Sequence, residues 1–172
     1  MRPLLGIVGG SCFALFGLCS ITGCGSDSNF QASANVAGNY TVSVTDADNG
    51  CMIDSWQAGK SATDIPFVIT QQDKDLNGTL QGLSGIALGL SIGTNMFTGT
   101  ANGSDFALTA YGKISHSLGN CAYTLNAEIS GSISGDAISG TIKYAPATSN
   151  NPDCASLQCS STQNFNGTRP PS

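Results

Sequence analysis

Apolar and polar residues alternate with a period of two along most of the chain after Gly38, the spacing of strands that bury one face. Tyr40, Val42 and Val44 alternate with Thr41, Ser43 and Thr45. Asn102-Gly103 suits a two-residue type I′ turn, in which both central positions need positive φ. That turn predicts Ala101 opposite Ser104, Gly99 opposite Phe106 and Phe97 opposite Leu108, with Phe106 lying over the glycine. A Gly135-Asp136 turn pairs Ile133 with Ile138, Gly131 with Gly140, Ile129 with Ile142 and Ala127 with Tyr144. A slip of one residue would throw each of these apolar members onto the opposite face. A third hairpin, with Lys74-Asp75 at its tip, sets Ile69 against Leu80 and Phe67 against Gly82. Strands are expected near 38–46, 65–72, 76–82, 86–92, 95–101, 104–112, 120–133, 137–145 and 161–168. No long helical period stands out, and the best candidate for a helical turn is 53–58.

This pattern predicts an all-β fold: an antiparallel up-and-down meander that closes into a small barrel of eight or nine strands, or else splits into a β-sandwich. Closure is preferred. Gly78, Gly99, Gly140 and Gly167 recur inside strands shortly after large apolar residues, as bends or close approaches in a curved sheet require. The last strand (Phe165, Gly167) is then expected to pair with the first (Tyr40, Val42, Val44). The opening Gly38-Asn39-Tyr40 resembles the Gly-x-aromatic start of lipocalin- and avidin-type barrels. The likeness covers three residues and implies nothing about function.

Residues 1–23 do not read as part of this fold. Arg2 is the only charge before Asp27, an apolar run extends through Phe16 and Leu18, and small residues close the segment. These are the parts of a cleaved signal helix. A membrane-spanning helix is the rival reading; five glycines and the lack of following basic residues count against it. The ending Ile21-Thr22-Gly23-Cys24 resembles the lipobox of bacterial lipoproteins. That resemblance implies a diacylglycerol thioether and N-acylation at Cys24, hence a lipid bilayer as partner. Two or more acyl chains anchor stably at ~0.8 kcal/mol per buried CH₂. With Gly25 rather than Asp after the cysteine, it also implies sorting to the outer membrane, on the periplasmic face or the cell surface. Residues 24–37 are polar and small enough to serve as a flexible tether, and 38–172 make one domain.

Only 10% of the residues are charged, and the net charge of -5 leaves no basic field for nucleic acid or anionic lipid. Of seven cysteines, Cys12 and Cys19 leave with the signal segment and Cys24 is acylated, so four remain. An even count in an exported domain implies two disulfides, with three connectivities open. The expected pairing is a local Cys154–Cys159 clip and a long-range Cys51–Cys121 staple. Zinc is disfavoured, because the four contain no C-x₂-C pair.

Catalytic constellations are nearly absent. His116 is the only imidazole, set in a polar stretch that reads as surface, and there is no Gly-x-Ser-x-Gly elbow. Glu128 has outward parity. Asp73-Lys74-Asp75-Leu76-Asn77-Gly78 matches the first half of a calcium loop, but Ser84 stands where the closing Glu belongs. It and Asp46-Ala47-Asp48-Asn49-Gly50 read as turns. The expectation is a non-enzyme with no cofactor and no metal. Its preferred role is a protein-interaction or structural component of the envelope, such as an inhibitor, acting through the long segments 47–64 and 145–160. Trp56, the only tryptophan, and Asp153 and Leu157 are the candidate contact residues. The alternative is a lipocalin-like module for a small apolar ligand or a glycan. In that reading Trp56 lines the mouth and inward glycines leave the lumen open; a solidly packed lumen would exclude it.

Overall fold

The structure, a computed structural model, describes residues 34–171. The signal segment, Cys24 and the tether up to residue 33 lie outside the described residues. The domain is a closed eight-stranded antiparallel barrel with one extra strand. Its strands are β1 (Gly38–Asn49), β2 (Ser61–Gln72), β3 (Asp75–Leu80), β4 (Met96–Asn102), β5 (Asp105–Ala110), β7 (Cys121–Ser134), β8 (Ala137–Ala147) and β9 (Ser161–Thr168). The short β6 (His116–Leu118) hairpins onto the start of β7 outside the ring. β5 pairs with β7, and β9 pairs with β1, bringing Gly167 opposite Val42 and Phe165 opposite Val44. Closure on the first strand removes the sheet edges that a flat meander would expose.

The two ends of the barrel differ. At one end the strands are joined by tight turns at 73–74, 103–104 and 135–136. At the other end lie all the long connections: 50–60, a helix, 111–120 and 148–160. The tight-turn end is plugged. Val36 is wholly buried there, its carbonyl accepts the Tyr40 hydroxyl at 2.8 Å, and the Ala34 amide donates to the Gly103 carbonyl at 2.7 Å. Arg169 donates to the carbonyls of Asn35 and Ala37, pairs with Asp136 at 3.2 Å and lies over the Tyr40 ring. The expected tether of 24–37 therefore ends too late, because residues 34–37 already belong to the packed domain.

The Gly135-Asp136 hairpin has the register expected from sequence, from Ala127 opposite Tyr144 to Ile133 opposite Ile138. The other two hairpins are displaced by two residues. Ala101 faces Phe106, Gly99 faces Leu108, and the turn is Gly103-Ser104 with Gly103 at φ 57°. Likewise Phe67 faces Leu80 and Ile69 faces Gly78 across an Asp73-Lys74 turn, with Asp73 at φ 55°. An even displacement keeps each apolar residue on its face, which is why the core survives the error. Packing selects the register. Phe106 lies between Ala101 and Gly131, and a Cβ on Gly131 would come within 2.8 Å of the Phe106 ring and 2.9 Å of the Phe165 ring. Gly78, Gly131 and Gly140 are thus covered by phenylalanine rings and do not hold the lumen open.

Residues 86–92, read as a strand, belong instead to a helix, α1 (Gly82–Ile92). Its buried residues Gly85, Leu88 and Ile92 recur at spacings of three and four, one face of a helix. Gly93 ends it in the left-handed conformation (φ 85°), its amide donating to the Gly89 carbonyl, as glycine C-caps do. The segment is apolar on both sides, which hides either period from a sequence reading.

The disulfides are Cys51–Cys159 and Cys121–Cys154, not the expected Cys51–Cys121 and Cys154–Cys159. The β8–β9 connection is flanked by the start of β7 on one side and the end of β1 on the other. Its two cysteines each reach across to the nearer neighbour.

Candidate functional site

The inward positions of β1, β8 and β9 run in step toward the end with the long connections. On β1 they are Val42, Val44 and then Asp46; on β8, Ile142 and Tyr144; on β9, Phe165 and Gln163. Below this level Phe67, Phe97 and Phe165 fill the barrel, with Phe67 and Phe97 edge to face at 6.1 Å. Above it the barrel is hollow. A cavity of about 460 Å³ extends from these rings to the rim, within the usual size of small-molecule sites. Leu125, Ile129 and Ile142 line its wall, α1 roofs one side with Ser84, Leu88 and Ser91, and Ile53, Trp56 and Lys60 flank the other.

One stripe of the wall is a hydrogen-bonded polar chain. Asp46 and Gln163 are register partners on β1 and β9, and β8 is the next strand. The Tyr144 hydroxyl donates to Gln163 Oε1 at 2.9 Å, and Gln163 Nε2 donates to Asp46 Oδ1 at 2.7 Å. The second carboxylate oxygen of Asp46 accepts the Gln57 amide at 3.2 Å. The chain orients all three groups and leaves acceptor lone pairs on the Tyr144 oxygen and the Asp46 carboxylate. A ligand could meet them with a hydrogen-bond donor. Burial, and secondarily the Asp46 charge, push the Tyr144 phenol up to about 12. Its proton is therefore held well above the ordinary range, and the unfolded chain ionises first as pH rises. Stability is unaffected by Tyr144 below pH ~10 and falls as pH climbs from there toward 12. Absorbance at the tyrosinate band should include a phenol ionising near 12, and Tyr144→Phe should reduce the amplitude there by one tyrosine.

Trp56 stands at the mouth, half-buried, its indole N–H donating to the Ala47 carbonyl at 3.2 Å and its ring edge-on to Tyr144 at 5.9 Å. It is the one sequence-named contact residue that lines the cavity. Asp153 and Leu157 sit on a 3₁₀ turn (Pro152–Leu157) in the β8–β9 connection, Asp153 exposed and Leu157 half-buried, away from the cavity lining. His116 is engaged: its Nε2 lies 3.0 Å from the Ser91 carbonyl oxygen, and its ring packs on Tyr123. It tethers the last turn of α1. Glu128 points outward and pairs with Lys143 across the strands at 3.6 Å. Asp73 makes the β2–β3 turn, and Asp46 to Asn49 continue β1 rather than forming a turn. Among the described residues no cluster of three or more potential metal ligands occurs.

Sequence reading missed Asp46, Gln163 and Tyr144 as a group, although the signal was present. Continuing the parity of Val42 and Val44 by one step places Asp46 inward, and closure of β9 on β1 brings Gln163 beside it. Compared with known protein families, curated proteins and solved structures, the chain finds no match.

Proposed function

We propose that this chain is an exported, lipid-anchored binding module whose barrel takes one small, mainly apolar ligand through its open end. The observation that carries the reading is the cavity of about 460 Å³, apolar over most of its wall and crossed by the hydrogen-bonded stripe Tyr144–Gln163–Asp46, with Lys60 and serines at its edge. At ~30 Å³ per water-sized group, it has room for roughly fifteen such groups. An apolar body would sit against Ile129, Ile142 and Leu88, and a donor group would meet Asp46 or Tyr144. The anchor rests on the lipobox-like residues before Gly25, and the two disulfides fit an exported protein. No step of this reading requires catalysis, a cofactor or a metal.

The test uses Trp56 as its reporter, since it is the only tryptophan and flanks the mouth. Titration with medium-chain alkylamines, alkanols and fatty acids should give a saturable change in its emission, strongest for the donor-headed amines and alkanols. A linear, unsaturable response to all three classes would overturn the proposal. The protein-partner reading keeps one observation in its favour. Both disulfides hold the 148–160 connection to its neighbours, making a rigid surface that carries Asp153.

A further inference from the structure

Among the described residues, every large apolar side chain left exposed lies at the open end of the barrel. Leu83, Ile86 and Leu90 project from α1 with 86%, 62% and 75% of their surface in water. Met96 at the start of β4, Tyr111 just past the end of β5 and Leu118 on β6 are exposed at the same end. Met52 stands across the mouth in the β1–β2 connection. The barrel wall and the tight-turn end contribute none. Such segregation marks an interaction surface rather than the scattered exposure normal for soluble domains.

Charge is segregated as well. Residues 81–96 and 110–120, which build this half of the rim, include no Asp or Glu, although the chain has 11. Lys113 is their only full charge. The opposite half of the rim carries Asp48, Asp54, Asp64 and Asp153 along with Lys60. A face free of carboxylates can press its apolar side chains into a lipid surface without carrying negative charge against the headgroups, and Lys113 can meet a headgroup phosphate.

We infer that the half-rim formed by α1 and the β6 hairpin docks on the surface of a phospholipid bilayer. α1 has 11 residues and is ~16 Å long, too short to cross ~30 Å of hydrocarbon. It lies in the interface, with Leu83, Ile86 and Leu90 among the acyl chains and Gly85, Leu88 and Ile92 holding it to the barrel. The Lys113 amide donates to the Ile92 carbonyl at 2.6 Å and the His116 ring meets Ser91, so the helix is fastened at its C-terminal end before it meets a membrane. If the lumen binds an apolar ligand as proposed above, docking places its mouth on the membrane and spares that ligand a passage through water. The docking itself does not require the lumen to be filled. The ten residues from Cys24 to residue 33 extend to at most ~35 Å. β4, with seven residues, rises ~23 Å, so an anchored barrel can turn its rim to the bilayer that holds it.

The experiment places single tryptophans in a Trp56→Phe background of the full chain, on phosphatidylglycerol-containing vesicles with brominated acyl chains. Ile86→Trp sits on the docking face and Lys74→Trp in a turn at the closed end. The expected result is quenching several-fold stronger at 86 than at 74, abolished when Leu83 and Leu90 are both changed to Ser. Equal quenching at the two positions, or no quenching at 86 in vesicle-bound chain, overturns the inference. If position 86 is unquenched and a concentration-dependent dimer disappears in the Leu83→Ser, Leu90→Ser variant, the face belongs to a second copy of the chain. Ile86 is exposed, so its replacement tests docking without disturbing the core, and the outcome is independent of any lumen ligand.

Discussion

Replacing both Cys51 and Cys159 with serine should lower the thermal midpoint by roughly 15 °C while leaving the barrel able to fold. The bond closes a loop of 108 residues, and the loop-closure argument assigns such a cross-link about 4–5 kcal/mol of restriction on the unfolded chain. At ~3–4 °C per kcal/mol for a domain of this size, the shift follows. The Cys121–Cys154 bond spans 33 residues and should contribute somewhat less, about 3–4 kcal/mol. The connectivity has its own readout. Cys51→Ser alone should expose Cys159 as the thiol trapped by alkylation, whereas labelling at Cys121 would mean that the bonds are arranged differently. A midpoint unchanged in the double variant would show that the bond contributes nothing to the folded domain. The loss should be felt first at the rim, because both bonds hold connections there and the closed end depends on Arg169, Tyr40 and Val36 instead.

The second large effect is expected from filling the lumen. Ile142 is half-buried and faces the cavity beside Tyr144. Ile142→Trp would put an indole into empty space, where it gains contacts at little cost in strain. The thermal midpoint should stay within a few degrees of the parent. Affinity for the apolar probes, measured by calorimetry, should fall at least tenfold, about 1.4 kcal/mol or more. Unchanged affinity in a folded variant would mean that the probes bind elsewhere on the molecule, and the lumen would lose its claim as the site. Gly140→Val makes the useful contrast. A Cβ there would lie 2.1 Å from the Ser130 carbonyl oxygen and 2.8 Å from the Phe165 ring, so the same added bulk should be destabilising. Volume is tolerated above the phenylalanine rings and refused among them.

Period-two alternation was enough to read the all-β class, most strands, the β1–β9 closure and the Gly135-Asp136 register, because each of these follows from which residues must leave water. The same alternation could not choose between registers two residues apart, since both bury the same side chains. Only the fit of Phe106 between Ala101 and Gly131, and of Phe67 over Gly78, decides there. α1 escaped for a related reason: a run that is apolar on every side has no period to read, and only its seat on the barrel rim imposes one. Sequence separation suggests a local Cys154–Cys159 clip, but proximity across the barrel governs the pairing, and Cys154 and Cys159 face different strands.

The candidate site divides along the same line. Trp56 could be singled out as a lone large aromatic in a long connection, and the apolar inward faces were legible residue by residue. The hollow upper lumen was not, because empty volume depends on how far the phenylalanine rings reach and how the connections arch over them. Asp46, Gln163 and Tyr144 are scattered along the chain and become one hydrogen-bonded stripe only when the barrel closes. Local chemistry along the chain therefore determined most of the strands and their faces. Long-range packing alone decided the register, the helix, the cross-links and the cavity, because each is a property of side chains that meet far from their neighbours in sequence.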